Sequence, residues 1–142
     1  MMVWQGWMRR MLMLCALGAG SMFGYAEGDS SGTVPYVDIG PSFITNFDTA
    51  DTAASHYVKV DVALRVDTPD MIDIVKYHKD ALRNYLLLLL SAQDEATMSS
   101  VPGRENLRKK ALHGLNAILQ HEEGNKAHIR DIYFTNFVLQ QS

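Results

Sequence analysis

The sequence predicts an α+β domain: a small, mainly antiparallel sheet with two helices packed on one side, in the order β-β-α-α-β, preceded by an N-terminal apolar helix. Three observations carry this expectation. Residues 57–66 alternate apolar and polar side chains, the period of a half-buried strand. Residues 70–91 and 102–123 repeat apolar side chains every three or four positions, the period of amphipathic helices. Residues 127–140 return to Ile, Tyr, Phe, Thr and Val, a composition that suits a closing strand. Strands, then helices, then a strand make a two-layer domain whose helices shield one sheet face.

The N-terminus is of a different kind. Arg9 and Arg10 are the only charges before residue 27, and an apolar run follows at residues 11–26. Gly24-Tyr25-Ala26 closes it with a small-x-small pattern. A positive start, an apolar middle and small residues at the end are the three parts of a secretory signal. A retained membrane anchor is the second reading. The run is shorter than the ~20 residues a spanning helix needs, and extending it back to Val3 would bury both arginines at high cost. Acylation at Cys15 is the third, with bulky Leu14 unfavourable just before it. All three place the rest of the chain outside the cytoplasm, and the arginines fit a cytoplasmic N-terminus. The expected organisation is residues 1–26 as signal peptide or short membrane anchor, 27–35 as a flexible Gly/Ser/acid linker, and 36–142 as the folded domain.

Within that domain, residues 36–47 (YVDIGPSFITNF) read as an extended segment. Gly40-Pro41 interrupts it, which predicts a bend, a bulge or an edge strand. Residues 48–55 are a polar loop. In residues 57–66, Val58, Val60, Val62, Leu64 and Val66 share one face, and Lys59, Asp61 and Arg65 share the other with Ala63. Thr68-Pro69-Asp70 opens the first helix: Thr68 can cap, Pro69 suits the first turn, and Asp70 favours the positive helix end. This helix runs to about residue 91, and its leucine run at 86–90 is apolar all round, which calls for deep burial or a partner. Residues 93–100 connect, with room for one helical turn. Pro102 starts the second helix, whose stripe is Leu107, Ala111, Leu112, Leu115, Ile118 and Leu119, and Gly124 stops it. The last strand puts Ile129, Tyr133, Phe137 and Leu139 on one face and Ile132, Phe134 and Val138 on the other. Apolar residues on both faces predict a central position in the sheet.

The chain has 142 residues, enough for one domain. A net charge of -3 gives no basic surplus for nucleic acid and no general attraction to anionic lipid. One cysteine makes neither an internal disulfide nor a Cys-rich zinc site. The five histidines, His56, His78, His113, His121 and His128, show no ligand spacing. HEEGN at 121–125 lacks the second histidine of H-E-x-x-H, because Asn125 stands there. There is no G-x-S-x-G elbow and no Gly-rich phosphate loop. The carboxylates are dispersed over predicted caps and exposed faces rather than converging in a cleft. The sequence therefore predicts no catalytic, cofactor-binding or metal-binding residues, no enzyme activity and no cofactor. Partner contact is the expected role, through the basic face of the second helix (Arg104, Arg108, Lys109) and the first segment around Phe43 and Phe47. A periplasmic ligand- or envelope-binding module is the alternative, and it would need a deep apolar pocket.

Five blocks in order resemble the FliL family, the flagellar basal body-associated proteins. They are PSFITNF at 41–47, HYVKVDVAL at 56–64, DALRNYLLLLLS at 80–91, LRKKAL with LNAIL at 107–119, and IYFTNFVLQ at 132–140. The last is the most specific, being similar to a terminal Val-Tyr-Phe-Thr-x-Phe-x-x-Gln. The resemblance implies a stomatin-like (SPFH-like) domain in the periplasm, carried by one transmembrane helix of the inner membrane. It also implies a structural protein of the bacterial flagellum that self-associates into a ring, contacts the basal body and the stator proteins MotA and MotB, and supports swimming or swarming. The short, signal-like N-terminal run departs from the family's anchor.

Overall fold

The computed structural model describes residues 34–49 and 55–141; the expected N-terminal helix lies outside them. The architecture is α+β, with a small antiparallel sheet and four helices. The sheet is built on β3 (His56–Val66), whose alternation matches the expected strand: Val58, Val60, Leu64 and Val66 are fully buried, while Tyr57 and Lys59 face water. Along one edge β3 pairs antiparallel with β4 (Ile129–Gln141), from His56↔Gln141 to Val66↔Ile129. Its other edge is shared end to end by β1 (Tyr36–Asp38), opposite residues 63–65, and β2 (Phe43–Phe47), opposite residues 56–60. The expected extended segment is thus one edge strand in two pieces, with a cis Gly40–Pro41 peptide bond in the interruption.

The expectation of a central last strand is corrected. β4 pairs only with β3 among the described residues and is an edge. Two bulges explain the misreading: the register with β3 slips between Asp61 and Val62 and again between Arg65 and Val66. Each slip sets two β4 residues against one of β3 and shifts the side-chain alternation by one. Ile129, Ile132, Phe134, Phe137 and Leu139 therefore lie opposite Val66, Leu64, Val62, Val60 and Val58, all on the core face. Strict period two would have divided them between faces.

The helices are α1 (Asp70–Tyr77), α2 (Lys79–Ser91), α3 (Glu95–Ser99) and α4 (Val101–Glu123). The single helix expected over 70–91 is two, broken at His78, whose backbone leaves the helical region at φ -91, ψ 9. No Pro or Gly marks the break. The His78 side chain instead reaches the far end of α4, with Nε2 2.6 Å from Glu123 Oε1. Thr68 makes no cap; Pro69 holds the N-cap position without a side-chain bond. The working caps are Asp94, which accepts the Thr97 N–H at 2.7 Å, and Ser100, whose Oγ accepts the Gly103 N–H at 3.1 Å. Gly124, at φ 77, ends α4 in a backbone conformation that favours glycine.

Met71, Val75, Leu82, Leu86, Leu90, Leu107, Ala111, Leu115 and Leu119 meet the core face of the sheet in one cluster. Fully burying a side chain of this size is worth about 1.5–3 kcal/mol relative to exposure. Two polar devices fix the layers. The Arg83 guanidinium donates to the carbonyls of Ile39 and Pro41, on either side of the β1–β2 interruption, and lies 4.3 Å above the Phe43 ring. The Asn116 side chain donates to the Ile129 carbonyl at 2.9 Å and accepts the Ile129 N–H at 2.7 Å, tying α4 to the start of β4. The leucine run of α2 is only partly buried: Leu86 and Leu90 enter the core, whereas Leu88 is 60% exposed.

Candidate interaction surface

The basic face of α4 is much less basic than its sequence. Arg108 forms a two-pronged pair with Glu105, both contacts at 2.8 Å, and reaches across to Asp131 on β4. The bond to Glu105 is the main cause that raises the Arg108 pKa; partial burial opposes it and attraction to Asp131 adds to it. The same bond holds the Glu105 carboxyl below its ordinary range. Bidentate guanidinium–carboxylate pairs are geometrically specific, so this arginine is committed inside the fold. Arg104 is half-buried, donates to the Met98 carbonyl at 3.3 Å and lies 5.6 Å from the Phe137 ring centroid. Lys109 is the most accessible of the three, 66% exposed, with Nζ 3.8 Å from Glu105.

Between α4 and β4 these side chains line an open groove of about 320 Å³. Arg104, Glu105 and Arg108 come from the helix, and Tyr133, Phe134 and Phe137 from the strand. The two phenylalanines pack against the core, and their ring centroids lie 5.9 Å apart.

Phe43 and Phe47 require correction as contact residues. They are 2% and 1% exposed, because their register partners are core-facing Val60 and His56. The residue that β2 presents outward is Ile44, 64% exposed. It lies in one row with Lys59 and Val138, and Tyr57 and Tyr36 also stand exposed on this open face. The clue was the phase of F-I-T-N-F: with both phenylalanines inward, Ile44 must point out. Elsewhere, one donor atom each of Asp48, His56 and Glu95 lies within 4.8 Å of the other two, the one grouping of possible metal ligands among the described residues.

Residues 36–140 match the family described as flagellar basal body-associated protein FliL. The chain belongs to the FliL family. A curated relative, the flagellar protein FliL of Aquifex aeolicus (strain VF5), is 30% identical over 100 residues, covering 70% of this chain and 58% of that protein. The chain thus spans less than two-thirds of that relative's length. The FliL-like blocks now have physical roles here. The terminal IYFTNFVLQ is β4 across its second bulge, the leucine-rich block is α2, and the asparagine within LNAIL is the Asn116 clamp on Ile129. No helix among the described residues is long and apolar enough to cross a membrane.

Proposed function

We propose that this FliL-family chain is a non-catalytic component of the flagellar basal body that supports motor and stator function in swimming or swarming. Residues 1–26 anchor it to the inner membrane or are cleaved on export, 27–35 act as linker, and 36–142 form a stomatin-like domain on the periplasmic side. The observation that carries this reading is the family match across residues 36–140. An antiparallel sheet covered by helices on one face leaves its other face free for neighbours.

The mechanism is packing. Copies stand side by side in a ring, and the ring braces the periplasmic part of MotA/MotB stators. The accessible features suited to this are Lys109 on α4, Ile44 and Val138 on the open sheet face, and Leu88 on α2. Scattered exposed apolar residues are ordinary, but a row on an uncovered sheet face is a reasonable docking patch.

The test is deletion of the gene, with swarm diameter and single-motor torque at high load as readouts. Loss of swarming or torque, restored by the wild-type chain and less well by Ile44→Lys, is the expected result. Unchanged torque at high load in the deletion strain would overturn the proposal.

A further inference from the structure

The fold assembles a compact donor set from three separate elements. Asp48 follows β2, His56 begins β3, and Glu95 begins α3. His56 is 8% exposed, and its Nδ1 is buried without a hydrogen-bond partner. Its Nε2 faces Glu95 Oε2 at 3.7 Å, beyond hydrogen-bond range. Nε2 is therefore the ring nitrogen placed to ligate, and the unpartnered Nδ1 leaves part of the ring's desolvation uncompensated, which is uncommon without a functional reason.

The surroundings hold this arrangement in place. The imidazole stacks on its register partner Phe47, with ring centroids 5.5 Å apart and planes at 29°. Asp48 is fixed by its N–H bond to the Gln93 carbonyl at 2.9 Å and by accepting the Glu95 N–H at 3.1 Å. Its backbone sits at φ 51, the one non-glycine residue described with positive φ. That conformation is infrequent, though Asp tolerates it better than most, and such positions gather at ligand clamps.

We propose that Asp48, His56 and Glu95 bind a divalent transition-metal ion, with Zn²⁺ the best match. An imidazole with two carboxylates is a nitrogen–oxygen set that suits zinc, whereas Ca²⁺ and Mg²⁺ favour all-oxygen shells. Three protein ligands leave a fourth tetrahedral position for water. Donors in such a shell stand about 3.3 Å apart, given zinc–ligand bonds of about 2.0–2.1 Å. The His56–Glu95 contact is close to that already, and side-chain rotation of half-exposed Glu95 supplies the remaining contraction. The ion would pin the ends of β2 and β3 to the start of α3. This inference is independent of the flagellar reading.

The test is titration of the full chain, stripped with EDTA, with ZnCl₂ by calorimetry and by thermal unfolding. One zinc per chain and a raised melting temperature are expected. Glu95→Gln and Asp48→Asn should each weaken zinc binding more than about tenfold, the scale seen even for outer-shell partners. Absent stoichiometric binding overturns the proposal, as does wild-type affinity in both variants, which would remove the two carboxylates from the ligand set. Equal affinity for Mg²⁺ or Ca²⁺ overturns the transition-metal assignment. Should either variant fail to fold, the wild-type chain loaded with Co²⁺ decides: visible bands of a four-coordinate histidine-bound ion support the site, and a hexaaqua-like spectrum overturns it.

Discussion

The clamp between α4 and β4 allows the sharpest test of how this fold is held together. Asn116 gives Ile129 both of the hydrogen bonds that an adjacent strand would give, and Ile129 is fully buried. Asn116→Leu keeps the side-chain size and removes both partners. A buried backbone group left unpaired costs about 1–3 kcal/mol. Asn116 is itself half-buried, so water relieves part of the loss, and the two bonds together predict a destabilisation of about 2–4 kcal/mol. With a urea dependence of about 2 kcal/mol per molar, the unfolding midpoint falls by roughly 1–2 M. Asn116→Asp discriminates further. Its carboxylate still accepts the Ile129 N–H but opposes the carbonyl with a second acceptor, so it should be nearly as damaging at neutral pH. Protonation would restore a donor, so its deficit relative to wild type should narrow in acid. The assay is urea unfolding by circular dichroism, with hydrogen exchange at the Ile129 amide as the local readout. A loss below about 0.5 kcal/mol for Asn116→Leu, or a neutral-pH Asn116→Asp as stable as wild type, would refute the reasoning.

Close packing and capping each give a further expected outcome. A methyl group at Gly114 in α4 would overlap the Tyr85 ring of α2, whose hydroxyl donates to the Lys110 carbonyl at 3.2 Å. Gly114→Ala should therefore destabilise by about 1–3 kcal/mol, less the roughly 1 kcal/mol that alanine gains in a helix, with Tyr85→Leu partly rescuing the melting temperature. Asp94 caps α3, and its hydrogen bonds with Thr97, side chain first and backbone second, hold its carboxyl below the ordinary 3.8. A depressed folded-state pKa gives stability that is complete above the unfolded value and lost as pH falls through the folded one. The advantage of wild type over Asp94→Asn should therefore be complete at neutrality and shrink only as pH falls below the ordinary 3.8, as read by thermal melts from neutral to acid pH.

Legibility followed the range of the interaction. β3 was readable because its period is local and its one buried face is uninterrupted. α4 was readable from its stripe and from Gly124. The break between α1 and α2 was not, because no Pro or Gly stands at His78 and its contact there, with Glu123, is 45 residues away in sequence. β4 misled because bulges change the phase of alternation, and phase is what assigns a residue to a face. The same lesson covers the contact residues. Phe43 and Phe47 follow Val37 and Ile39 in odd-numbered phase, all inward, which leaves Ile44 outside. Arg108 was visible as a cation, but its carboxylate partners lie one turn away and on another element. Asp48, His56 and Glu95 come from three elements, so sequence spacing carried no signal for them.

Edge geometry narrows how copies can assemble in the proposed basal-body role. Strand addition needs a straight row of unpaired backbone groups. On one side of the sheet that row is interrupted between Asp38 and Phe43, and Arg83 takes the carbonyls of Ile39 and Pro41. On the other, Asn116 occupies both groups of Ile129, and the two bulges bend the remainder of β4. Irregularity of this kind is a recognised defence against edge-to-edge pairing. Association of copies in that role is therefore expected through faces rather than edges: the open sheet face around Ile44 and Val138, and the outer surface of α1 and α2, where Tyr77 is 83% and Leu88 60% exposed. Side-chain faces, unlike a backbone ladder, can distinguish a second copy from a stator by sequence, which is what a ring contacting both must do.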